Sequence, residues 1–159
     1  MDKYDWLLFL HVTGAFIFLG AAVVAWVFGI AAATRERPSE IALLLGLTRV
    51  AAIGFGIGTT LLLVFGIWLV VDVDQYKIGD GWILGALVLF VASIVIGAIG
   101  GSRDKRTILL AQRLAGEGDL PSAELTAAAR DARALAYNIA STLAGFGVLV
   151  LMIFKPGAS

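Results

Sequence analysis

Cysteine is missing from this 159-residue sequence. Disulfides, Cys-ligated zinc, iron–sulfur clusters and thiol catalysis are therefore excluded, because each needs a thiolate. Histidine occurs once, at His11, which excludes any site built from two imidazoles of one chain. Charge is scarce as well: Asp, Glu, Lys and Arg make up 15% of the residues, against about 25% in a soluble domain. No acidic residue falls inside a long apolar run, and proton-coupled transporters and pumps usually place one there. A phosphate loop, a nucleophile triad, a paired-carboxylate site and a dinucleotide fingerprint are all lacking. The GFGIG run at 54–58 lies inside an apolar span and follows no strand. With no catalytic constellation in view, an enzyme ranks behind the non-enzymatic classes.

Apolar residues are abundant instead. They form 60% of the chain, with a mean hydropathy of +0.94, well above the roughly 45–50% of a soluble domain. The chain belongs in a membrane. Four apolar stretches, Trp6 to Ala33, Ile41 to Val71, Trp82 to Gly101 and Ala134 to Phe154, each reach the roughly 20 residues that cross about 30 Å of hydrocarbon. A removable signal peptide does not fit the start, because the leader MDKYD is not basic and the apolar run behind it is too long for an h-region.

Several stretches exceed what a bilayer requires. Residues 102–138 are rich in Ala, Leu, Arg and Glu and favour helix, punctuated at 116–121, where Gly116 can end one helix and Ser122 can cap the next. The expected helices cover about 6–33, 41–71, 82–115 and 122–154. The expected fold is all-α: a single domain, 1–159, forming an antiparallel four-transmembrane-helix bundle of two long hairpins with cytoplasmic helical extensions.

The charges orient this bundle. Arg35, Arg37, Arg49, Arg103, Lys105, Arg106, Arg113, Arg130 and Arg133 fall on one side, and only Lys3, Lys77 and Lys155 on the other. The positive-inside rule then puts the basic loops in the cytoplasm and both termini outside, as expected of a bacterial inner-membrane protein. Acids offset most of the basic charge in those loops. They signal topology and headgroup contact, with no case for nucleic acid. Trp6, Trp68 and Trp82, with Tyr4 and Tyr76 nearby, fall near the outer ends of their spans and form an expected aromatic belt.

Nineteen glycines need a reason in a helical protein. Ser93, Gly97 and Gly101 recur every four residues, as do Gly54 and Gly58, giving flat strips on which helices approach closely or which clear space for a flat cofactor. His11 lies five residues past Trp6, where an imidazole must hydrogen-bond, ligate, or face a wet cavity. Its neighbours Gly14, Ala15, Phe18 and Ala22 make a small-residue face that can pack on another helix or admit a porphyrin edge. A haem b would need His11 as one axial ligand, with Met152, the only internal methionine, or a second copy of His11 as the other. The pair His11 and Met152 would also suit copper, and Met152 has an ordinary packing role open to it. Arg49 lies about one turn outside the hydrocarbon and can snorkel, bind an anionic lipid or pair with an acid.

The opening DWLLFLHVTGAF, the WLVVD end of the second span and GWILGALVLF at 81–90 resemble a family of small bacterial four-helix membrane proteins catalogued as a domain of unknown function. The likeness spans nearly the whole chain. The start from Leu10 to Gly14 also resembles the first helix of copper-resistance-D-type proteins and of the membrane protoporphyrinogen oxidase family. The second likeness implies a haem b tied to His11. Two functional classes follow. One is a non-enzymatic subunit or scaffold that packs, through glycine-rich faces, with further copies of itself or with another membrane protein. The other is a haem b or copper protein centred on His11, for electron transfer or redox sensing.

Overall fold

The computed structural model describes residues 2–72 and 77–157. They form five helices: α1 (Lys3–Ala33), α2 (Pro38–Asp72), α3 (Gly81–Gly116), α4 (Ala123–Ala129) and α5 (Ala132–Phe154), with no strand among them. The expected belt position of Tyr76 lies outside the described residues.

Local chemistry explains the boundaries. Asp2 and Asp5 form a reciprocal capping box at the start of α1, which satisfies two otherwise orphaned amides. Pro38 occupies the first helical position of α2, where its missing N–H costs nothing. α3 ends at Gly116, and the chain reverses through left-handed Gly118 and Asp119, with φ of 124° and 56°. One helix was expected over 122–154, but the structure breaks it at Arg130 and Asp131. The reason is local: the Asp131 carboxylate accepts the Arg133 amide at 2.9 Å and caps a new helix.

Four segments, counting α4 and α5 together, are long and apolar enough to span a membrane. Their helices bury little of themselves. Phe16, Val88 and Leu143 are exposed, as expected where lipid takes the place of a protein interior. At 1.5 Å per residue α2 and α3 run to roughly 50 Å, so they extend well beyond the hydrocarbon. The best-buried cluster sits in that extension. Ala32, Ile41, Leu45, Ala111 and Leu125, from four different helices, meet there away from lipid.

α1 packs chiefly on α2, and α3 on α5. The first pair approaches at Gly14 and Gly58: a Cβ at Gly58 would lie 2.7 Å from the Phe18 backbone nitrogen and 3.0 Å from the Gly14 carbonyl. The second pair is tied by two serines, each hydroxyl donating to the other residue's carbonyl, Ser93 to Ser141 at 2.8 Å and Ser141 to Ser93 at 2.8 Å. Phe18 joins the pairs within the membrane, with ring centroids 5.2 Å from Phe55 and 5.6 Å from Phe90.

At the basic end the hairpins cap each other. The Asp119 carboxylate accepts the Ser39 amide and hydroxyl, both at 2.7 Å, supplying from the turn after α3 a capping acceptor for the start of α2. Arg130 Nε donates to the Ala33 carbonyl at the end of α1, at 2.9 Å.

Candidate functional site

His11 is half-buried between α1 and α2. Its Nδ1 lies 3.1 Å from the Leu62 carbonyl oxygen. A carbonyl can only accept, so Nδ1 carries the hydrogen and Nε2 is left with a lone pair. Gly66 makes the slot: a Cβ there would come within 2.8 Å of the imidazole Cε1 and 2.9 Å of Nδ1. Neither Leu62 nor Gly66 stood out in the sequence. The available signal was depth. His11 lies five residues inward of Trp6 on one helix, and Leu62 lies six inward of Trp68 on its antiparallel neighbour.

Around this slot α2 covers the face of α1 for which packing on another helix and a porphyrin edge were both open. A Cβ at Gly14 would lie 2.8 Å from Leu61 Cβ and 2.9 Å from the Leu62 amide nitrogen. Phe18 and Ala22 are buried on the same face. Gly14 thus lies where α1 and α2 approach closely. Met152 is half-buried on α5, which packs chiefly on α3, whereas His11 is held by α2. Among the described residues no group of three or more His, Cys, Asp or Glu is placed to hold a metal ion.

The small-residue strips fall as follows. A Cβ at Gly54 would lie 3.1 Å from Ala21 Cβ, and Gly58 faces Phe18, both across the α1–α2 contact. On α3, Ser93 bonds Ser141 and a Cβ at Gly97 would lie 2.9 Å from the Ser141 hydroxyl, but one at Gly101 would meet nothing within 4 Å, and Gly100 takes the third place, where a Cβ would lie 2.7 Å from Asn138 Oδ1. The reason is helical pitch. At about 100° per residue an eight-residue step drifts about 80° off the face, while seven residues miss by only about 20°.

Around the ends, Trp6 and Trp68 are exposed, as belt residues are, and Lys3 sits over the Trp68 ring and pairs with Asp72. Trp82 is instead buried, with the Lys155 ammonium 5.7 Å from its ring centroid. Its indole therefore helps close the outer end of the bundle. Arg49 is exposed on α2, free to reach headgroups. At the basic end, the Ser39 hydroxyl and then the Ser39 amide hold the Asp119 carboxyl below its ordinary value.

The arrangement is that of a polytopic helical membrane protein. Over residues 5–156 the chain matches the family described as predicted integral membrane protein (DUF2269), and it belongs to that family. No curated protein and no solved structure matches it. The likeness of Leu10 to Gly14 to the copper-resistance-D-type and protoporphyrinogen oxidase families is not shown by these comparisons.

Proposed function

We propose that this protein is a non-enzymatic subunit of the bacterial inner membrane that binds another membrane protein, or a further copy of itself, through the outer face of α2. The observation that carries this reading is Gly56. A mid-helix glycine costs about 1 kcal/mol relative to alanine unless close approach repays it, and nothing in the chain lies within 4 Å of where its Cβ would be. Ala52, Gly56 and Thr60 make a shallow exposed ridge at four-residue spacing, flanked by exposed Ile53 and Ile57. The Thr60 hydroxyl donates to the Gly56 carbonyl at 2.9 Å, so the ridge offers shape rather than an unmet polar group. Such a surface suits the backbone of another helix.

The experiment is gentle solubilisation from native membranes. Wild type should migrate and purify with a second chain, and Gly56→Leu, which fills the ridge without touching the bundle, should migrate as the lone chain. A wild-type chain recovered alone would sink the proposal. The basic loops are cytoplasmic and the termini outside in this reading, which the asymmetry of Lys and Arg supports.

A second reading is favoured by His11. An imidazole whose Nδ1–H is engaged by a backbone carbonyl has the arrangement of a metal-ligating histidine, with Nε2 available. Haem b or copper would then need its second ligand from Met152 or from another copy's histidine. A reduced-minus-oxidised absorption spectrum of protein expressed with ample haem decides the haem reading: a Soret band lost in His11→Ala supports it, and a flat spectrum removes it.

A further inference from the structure

α1 and α5 barely touch within the membrane, and a groove of about 260 Å3 runs between them, lined by Val23, Val27, Ile30, Thr142, Leu143 and Phe146 among others. Its one hydroxyl, on Thr142, is turned back to donate to the Asn138 carbonyl at 2.9 Å, and the groove presents an apolar surface. Left empty, the lining would lose its dispersion contacts. The groove needs an apolar filler.

Two further features say which. On α1 the groove runs from Ala22 to Ile30, roughly 12 Å of helix rise and therefore close to the depth of one leaflet of a roughly 30 Å core. A single chain entering from the basic side fits that length better than a spanning helix, which would need a cleft through both leaflets. Beyond the basic end of the groove, Arg130 Nε reaches the Ala33 carbonyl, about one turn past Ile30. Arg130 and Arg133 are both exposed, and neither makes an ion pair among the described residues. Asp131 between them has its carboxylate held by Arg103 at 2.9 Å and lies within electrostatic reach of Arg133 as well. Arg103, Arg130 and Arg133 outnumber the two nearby acids, Asp104 and Asp131, and a surplus of guanidinium beside an apolar groove is complementary to a phosphate carrying an acyl chain.

We infer that the α1–α5 groove holds one acyl chain of an anionic phospholipid from the leaflet on the basic side, with Arg130 and Arg133 at its phosphate. This site lies on helices other than the α2 ridge and does not depend on it.

The test is native mass spectrometry of the full chain released from nanodiscs of phosphatidylcholine containing a minor fraction of phosphatidylglycerol. Wild type should retain one lipid, enriched in phosphatidylglycerol about thirtyfold over the bulk, the ratio expected of two arginines at headgroup depth. Val23→Trp, which fills the groove from its open side, should lose the retained lipid of either kind. Arg133→Gln and Arg130→Gln should each keep a lipid but cut the enrichment about fivefold. Arg133→Gln suffices if loss of the Ala33 contact unfolds the Arg130 variant. Equal retention of the two lipids by wild type, or unchanged retention in Val23→Trp, overturns the inference. So does a Val23→Trp protein whose lipid is unchanged but which no longer associates with a second chain, for then the groove seats protein.

Discussion

Gly58→Ala is the sharpest perturbation of the bundle. The added methyl would meet the Phe18 nitrogen at 2.7 Å, the Phe18 Cα at 3.0 Å and the Gly14 carbonyl at 3.0 Å. All three are backbone atoms, so no side chain can swing aside. Relief requires α1 and α2 to separate, which also loosens Phe18 from Phe55 and Phe90. Overpacking of a tight interior costs typically 1–3 kcal/mol, and an obstacle made wholly of backbone puts this site toward about 3 kcal/mol. Even about 2 kcal/mol changes the folded-to-unfolded ratio roughly thirtyfold. Gly46→Ala is the matched control on the same helix, because a Cβ there meets nothing within 4 Å. It should be neutral or stabilising, by at most about 1 kcal/mol from helix propensity. Reversible unfolding in mixed micelles, followed by tryptophan fluorescence, measures both. Equal stability of Gly58→Ala and wild type would refute the claim that backbone contact at this glycine joins α1 to α2.

Three further outcomes follow from the same structure. In a double-mutant cycle, Ser93→Ala and Ser141→Ala should each cost about 0.5–2 kcal/mol and couple measurably; additive losses would deny the reciprocal pair. Gly66→Ala should cost about 1–3 kcal/mol in wild type and far less in a His11→Ala background, since the crowding atoms belong to the imidazole; equal costs in the two backgrounds would mean that His11 does not occupy the slot. Asp119 is held below its ordinary value of 3.8, so its contact with Ser39 contributes fully above that pH and is lost as pH falls through the depressed value. Wild type should therefore lose its stability advantage over Asp119→Asn in that acid window, and a difference that stays constant with pH would contradict the capping role.

Much of this architecture was open to reading before any coordinates. Lipid forces long apolar helices with their backbone bonds satisfied internally, so four spans and the polar turns between them stand out in hydropathy alone. What escaped notice depends on neighbours. The run AAARDARALA favours helix throughout, and only the Asp131 carboxylate closing on the Arg133 amide shows that it breaks. Counting in fours favoured Gly101, whereas the pitch of α3 brings Gly100 against Asn138. The anion that caps α2 comes from Asp119, eighty residues away. Trp82 ends its span like a belt residue yet is buried under Lys155. For the candidate site, His11 stood out as a lone intramembrane imidazole, but its partners Leu62 and Gly66 are ordinary residues given meaning only by the register of two antiparallel helices.

The central claim is that the outer ridge of α2 is covered by another protein chain, and the cysteine-free sequence makes it directly testable. A single cysteine placed at Gly56 should cross-link to protein in intact membranes, while one at Val88, which is 68% exposed on α3, should not. Absence of any adduct at Gly56, or equal cross-linking at the two positions, would contradict the account.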